Sequence, residues 1–268
     1  MKTRTLLFML ILALSQGIQA QCTYKNTAFQ NGEFLTYNLY FNWKMVWLKA
    51  GTSSLTTIST VYQGKKAFRS SLTLRGSKKA DSYFLARDTI LSYVTQDMAP
   101  LYYRKASVEN KRYTVEEVFF SYPGGKSHTK QHRLGSKGNH HWEEHTWSEC
   151  VYDMLSIFLR ARSFDPTSWK KGQTINFPIV DGNSKDPAQL RYRGKTVIKA
   201  DNGKRYRCLE LSYFQQQKGK MKEIVRFYVT DDLNHIPIRL DLFLKVGAGK
   251  AFLTSMKGNR NPITSEVK

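Results

Sequence analysis

The chain has 268 residues with 42 basic and 21 acidic side chains, which gives a formal net charge of +21. The length fits one large β domain or two small ones. Three cysteines allow at most one disulfide within the chain, and their spacing excludes the usual zinc motifs.

The first twenty residues have the pattern of a secretory signal. Lys2 and Arg4 provide a positive start, Leu6–Leu14 is apolar, and Ala20 is the small residue required at a cleavage site. The apolar run is shorter than the roughly 20 residues that cross a bilayer. We therefore predict cleavage after Ala20 and an exported protein, periplasmic or associated with the outer membrane, that starts at Gln21.

Export limits the partners that the positive charge can have. The chain from residue 21 keeps 40 basic and 21 acidic side chains, or +19 over 248 residues. Nucleic acid is not expected outside the cytoplasm, so the candidate partners are anionic lipid, lipopolysaccharide or acidic glycan. The alternative is a protein that carries many lysines without using them for recognition. For the three cysteines, Cys22, Cys150 and Cys208, two possibilities stay open: one internal disulfide, or buried thiols. A lipid-modified Cys22 is disfavoured because Gln21 is bulky where a small residue is required.

Apolar and polar residues alternate along most of the chain, which predicts strands with one buried side. Short strands joined by tight turns, such as Pro123-Gly124-Gly125, indicate an antiparallel meander. The fold class predicted is mainly β: a single antiparallel curved sheet or partly open barrel over residues 21–268. The predicted strands cover residues 33–43, 54–62, 67–74, 83–94, 101–107, 113–122, 127–133, 174–180, 189–193, 206–213, 221–230, 236–246 and 251–256.

One α-helix is predicted in the middle of the chain, over about residues 150–162. Val151, Met154, Leu155 and Phe158 recur at helical spacing. The sequence Thr146-Trp147-Ser148-Glu149 fits a capping box with threonine as the N-cap.

The histidine-rich stretch at residues 138–147 comes before this helix. His141 and His145 with Glu144 spell HxxEH, but that metalloprotease pattern needs both histidines on one helix face. In an extended segment, His141, Glu143 and His145 would share one side, where they could bind zinc. The interpretation we favour is an extended or loop segment that holds no metal, and no cofactor is expected.

Several segments together resemble a family of exported bacterial proteins of unknown function, domain number 3108. They are GEFLxY at 32–37, RDTILSYVTQDMAPLYY at 87–103, YDMLSIFLR at 152–160 and YVTDDLNHIPIRLDLFLKVG at 228–247. The resemblance implies an exported antiparallel β protein with a central helix and brings no settled activity. The end of the chain also resembles the open-barrel carriers that ferry lipoproteins across the periplasm.

Two sets of residues are candidates for specific roles. Asp153 and Ser156 on the helix, and Asp231 and Pro237 near the last strands, are predicted to be structural. Aromatic and basic residues are predicted to bind ligand, either at a cavity rim or through exposed rings; they are Arg160, Trp43, Trp47, Arg191 and Arg193.

No catalytic residue is predicted, because nucleophile elbows and phosphate loops are missing from the sequence. The function predicted is therefore non-enzymatic: a cell-envelope protein that binds an amphiphilic or anionic ligand, such as lipid or lipopolysaccharide, in a β cradle. The alternative is an envelope interaction or structural protein without a small ligand, and a hydrolase is the least favoured class.

Overall fold

The computed structural model describes residues 22–43, 46–82, 85–182, 184–244 and 247–268. The predicted signal segment therefore lies outside the described residues. Where the structure is described, one antiparallel sheet follows the order β8-β7-β6-β5-β4-β3-β2-β1-β14-β13-β12-β11-β10-β9, with β15 added beside β11. The strands are β1 (Glu33–Trp43), β2 (Val46–Tyr62), β3 (Lys65–Gly76), β4 (Ala86–Thr95), β5 (Pro100–Glu109), β6 (Arg112–Ser121), β7 (Ser127–Leu134), β8 (His140–Trp147), β9 (Thr174–Val180), β10 (Lys185–Lys199), β11 (Arg205–Gln217), β12 (Lys220–Thr230), β13 (Pro237–Phe243), β14 (Ala248–Lys257) and β15 (Glu266–Val267).

The predicted antiparallel curved sheet is confirmed. Consecutive strands pair from β1 to β8 and from β9 to β14, and β1 pairs with β14 to join these two halves. Among the described residues, no strand pairing closes β8 onto β9. The segment after β8 bridges part of this gap, because Tyr152 forms a parallel bridge with Ile179 of β9. The sheet is thus a partly open barrel.

The helices differ in detail from the prediction. A short helix, α1, spans Lys78–Asp81, and the central helix, α2, spans Met154–Ala161. The predicted start near Cys150 and the N-cap at Thr146 are wrong. Residues 140–147 instead form strand β8, which pairs with β7 along its whole length, so Thr146 is not available as a cap. Asp153 caps the helix in its place.

The concave side of the sheet is filled by apolar side chains and by α2. Leu155 packs in the cluster around β1, β5 and β6, Leu159 packs with Phe29 and Met98, and Ile157 packs against β9–β12. The helix therefore contributes one buried side chain to each of three apolar clusters. Its position creates the groove described next.

Candidate functional site: an apolar groove beside the central helix

A groove runs between α2, the loop that follows it, and strands β9–β12. Its cavity volume is about 110 Å³, which is smaller than a typical small-molecule site. Sixteen of its nineteen lining residues are apolar or aromatic. They are Met154, Ile157, Phe158, Ala161, Phe164, Pro166, Trp169, Phe177, Leu190, Leu209, Leu211, Tyr213, Ile224, Val225, Phe227 and Val229.

The alternation of the strands accounts for this lining. In β11, Leu209, Leu211 and Tyr213 fall on one side, and their register partners in β12 are Val229, Phe227 and Val225. Two neighbouring strands therefore present a continuous apolar surface. Helix α2 does not cover all of it, and Met154 at its first turn is 40% exposed.

The polar groups in the groove wall already have partners. Arg162 donates from Nη1 and Nη2 to the Glu33 carboxylate at 2.6 and 2.8 Å, and from Nε to the carbonyl oxygen of Asn234 at 3.1 Å. Burial lowers the pKa of the guanidinium, but the Glu33 charge outweighs it and the pKa is raised. His235 contacts the carbonyl oxygen of Arg162 through Nδ1, and burial lowers the pKa of its imidazole. Gln215 donates to Asp186 at 3.2 Å.

Such a wall suits an alkyl chain better than a charged substrate. A charged group placed in the groove would lose its hydration and find these donors and acceptors already engaged. An apolar chain would lose nothing and would cover exposed apolar surface.

The predicted ligand-binding residues lie elsewhere. Arg160 donates to the carbonyl oxygen of Cys22 at 2.9 Å, and its guanidinium lies 4.6 Å from the centre of the Tyr24 ring. Trp47 is 38% exposed, and the ammonium of Lys250 lies 4.1 Å from its ring centre. Trp43 ends β1, but its side chain is outside the described part of the structure.

The two β10 arginines do share a face, as strand alternation requires. Both guanidinium groups lie over Phe214, at 4.6 Å for Arg191 and 5.8 Å for Arg193. Arg193 also donates to Ser212 at 3.1 Å and lies 3.7 Å from Glu223. Neither arginine is among the residues that line the groove.

The residues predicted to be structural all make contacts within the protein. Asp153 and Ser156 form the capping box of α2, and Ser92 of β4 donates to Asp153 at 3.1 Å. Asp231 pairs with Lys195 at 2.9 Å, and the carbonyl oxygen of Pro237 accepts a hydrogen bond from Tyr37 at 3.1 Å.

The histidine-rich strand β8 presents different groups on its two faces. On one face the Glu143 carboxylate lies between His141 and His145, with N–O distances of 2.7 and 3.0 Å. These two contacts lower the pKa of Glu143. On the other face His140 lies 2.9 Å from His132, which in turn contacts Glu117 at 2.8 Å. Within the described residues, no three metal-binding side chains are grouped to hold an ion.

The groove itself was missed by sequence reasoning. Its strand residues are visible as alternating apolar positions, but the same pattern describes ordinary core packing. Only the placement of α2 and of the loop through Phe164 and Trp169 leaves part of this surface uncovered.

Fold and site together define a curved, partly open antiparallel β structure with one helix beside an apolar groove. The chain belongs to DUF3108, a family described as proteins of unknown function, whose model matches residues 36–254. The structure is similar to a crystal structure described as a β-barrel-like protein of domain of unknown function DUF1849 from Brucella abortus. That likeness has a TM-score of 0.58 at 9% identity and covers 86% of this chain and 98% of the other. The comparison with curated proteins gave no match.

Within the described ranges, no helix is both long and apolar enough to span a membrane.

Proposed function

We propose that this protein is an exported, non-enzymatic envelope protein that holds the apolar chain of an amphiphile in the groove beside α2. The observation that carries the proposal is the lining itself, in which sixteen of nineteen residues are apolar or aromatic. The excess of basic side chains favours an anionic head group, such as that of a phospholipid or of lipopolysaccharide. The head group would remain at the open side of the groove, because the polar atoms of Arg162 and Gln215 are engaged.

Export is supported by two independent features. The first is the signal-like pattern of residues 1–20. The second is the disulfide between Cys22 and Cys150, since such bonds persist in oxidising compartments.

The test is to purify the protein after export and examine it by native mass spectrometry and lipid extraction. We expect a bound amphiphile of defined mass, and displacement of a fluorescent fatty acid by that lipid. Ala161→Trp places an indole in the groove and should weaken probe binding at least about tenfold, since the ligand loses most of its apolar contact.

Ala80→Trp in α1 makes the same chemical change away from the groove and should leave binding unchanged. Thermal melts of both variants establish that they fold. A folded Ala161→Trp protein that binds the probe as well as the unaltered chain would contradict the proposal, as would a native protein free of lipid that binds no probe.

A further inference from the structure

The turns of the sheet lie at two opposite ends. The end that carries the β1–β2 turn has exposed apolar side chains and many lysines. Because neighbouring strands run antiparallel, the β1–β2, β13–β14 and β11–β12 turns all lie at this same end. The first two turns are adjacent, since Tyr40 of β1 pairs with Lys49 on one side and with Lys250 on the other.

Five large apolar side chains are exposed where these two turns meet. Val46 is 57% exposed and Leu244 is 49% exposed. The other members are Trp47, Leu48 and Phe243, and we call the five residues the hairpin surface. Single exposed apolar residues are common on proteins. Five of them at the tips of two paired hairpins form a patch of the kind that marks an interaction site.

Three stretches at this end of the sheet carry only basic charged side chains. The stretches 46–50, 217–222 and 247–250 contain Lys49, Lys218, Lys220, Lys222 and Lys250 and no acidic residue. The ammonium of Lys250 lies against the Trp47 ring at 4.1 Å, so cationic and apolar groups touch each other. The nearby acid Asp241 is paired with Arg239 at 2.7 Å and leaves the excess positive.

We propose that the hairpin surface docks on a membrane whose head groups are anionic. Apolar tips ringed by lysines match a bilayer interface, where the tips enter the acyl boundary and the ammonium groups remain among the phosphates. A second copy of this chain would bring the same lysines together, and the repulsion would oppose the contact. The surface is separate from the groove, because none of its five residues lines the groove.

The chain offers a matched pair of variants for the test. Val46 and Val61 lie near opposite ends of β2 and are 57% and 64% exposed. Leu244 and Leu233 lie in turns at opposite ends of the sheet and are 49% and 66% exposed. The double variants Val46→Asp/Leu244→Asp and Val61→Asp/Leu233→Asp therefore change the net charge equally and differ in which end they alter.

Binding is measured by co-sedimentation with vesicles of phosphatidylcholine alone or mixed with phosphatidylglycerol. We expect binding to the mixed vesicles only, weakened between low and about 0.5 M salt as the charges are screened. Val46→Asp/Leu244→Asp should reduce vesicle binding at least about tenfold, because two inserted side chains become charged. Val61→Asp/Leu233→Asp should reduce binding much less.

Equal losses in the two double variants would overturn the proposal, as would absence of binding to the mixed vesicles or equal binding to neutral ones. The groove variant Ala161→Trp separates this surface from the proposed function. It should bind vesicles normally, and a loss of vesicle binding in that variant would assign the membrane contact to the groove instead.

Discussion

Glu33 and Arg162 are an oppositely charged pair inside the protein, with 1% and 2% of their side chains exposed. The guanidinium makes two hydrogen bonds to the carboxylate and two to the carbonyl oxygen of Asn234. The pair connects the start of β1 to the end of α2 across 129 positions of sequence. Each charge is stable there only because the other is present.

We expect Glu33→Ala to lower the free energy of unfolding by about 3–5 kcal/mol, because Arg162 would remain charged and buried without its partner. Denaturation in urea measures the change. Glu266→Ala removes the exposed contact between Lys204 and Glu266 and should have a much smaller effect. If Glu33→Ala and Glu266→Ala lowered the free energy of unfolding by the same small amount, the buried pair would not stabilise the fold as expected.

Sequence patterns can single out residues such as Glu33 and Arg160, but they do not identify the residues that these side chains contact. Glu33 falls in the segment that carries the family resemblance, yet nothing nearby in the chain identifies Arg162 as its counterion. Arg160 shows the same limit. The sequence places it on the predicted helix as a candidate ligand-binding residue, whereas its actual contacts, Cys22 and Tyr24, come from the far N-terminal segment.

At the scale of the element, α2 shows how tertiary pairing overrides a local signal. Thr146 and Glu149 have the three-residue spacing of a capping box, and Asp153 and Ser156 have the same spacing further along the chain. The first cap is excluded because residues 140–147 are paired with β7, which holds the backbone in an extended conformation. Only the second cap remains, and it starts the helix at Met154.

This cap makes stability depend on pH. Asp153 is fully buried, and burial raises the pKa of its carboxyl from 3.8 to about 6, against the lowering effect of its hydrogen bonds to Ser156, Ser92 and Leu155. Between these two pH values the folded protein binds the proton more tightly than the unfolded chain. The contribution of Asp153 to stability is therefore fully present below about pH 4 and is lost as the pH rises through 6, by about 3 kcal/mol.

Asp153→Asn should abolish this component, because asparagine keeps a cap acceptor but carries no charge. The unfolding free energies of the variant and of the unaltered protein are measured in urea from pH 4 to 8. Relative to the unaltered protein, the variant should become more stable as the pH rises from 4 to 6. Asp153→Ala loses the cap as well and should be less stable than Asp153→Asn by about 0.5–2 kcal/mol. A difference that is flat with pH would show that Asp153 has an ordinary pKa.

At the scale of the whole molecule, the meander could be predicted and its curvature could not. Alternation is local, so the sequence identifies most strands, as in β6, β9 and β12. Strand β8 was missed as a sheet strand because its His140–Trp147 stretch has no fully buried residue and shows no apolar alternation. The groove depends on how far the sheet curls and where α2 lies, and both follow from contacts between distant segments.

The cysteines illustrate the same dependence on distant contacts. Three cysteines allow three pairings, and the folded chain places Cys22 and Cys150 with Cα atoms 5.4 Å apart and bonds them. This bond uses the sulfur that a lipid anchor on Cys22 would require. Cys208 is buried, and burial raises the pKa of its thiol to about 12, so it should not react with thiol reagents in the folded protein.

The disulfide joins positions 128 residues apart and ties the N-terminal segment to the chain just before α2. Closing so long a loop restricts the unfolded chain strongly, and we expect Cys22→Ser/Cys150→Ser to lower the free energy of unfolding by about 2–5 kcal/mol. A reductant should destabilise the unaltered protein and Cys208→Ser to the same extent, and leave the double variant unchanged. The measurement is denaturation in urea with and without reductant, together with a thiol count on the unfolded, unreduced chain. One free thiol per chain is expected, and a count of three would show that the bond does not form.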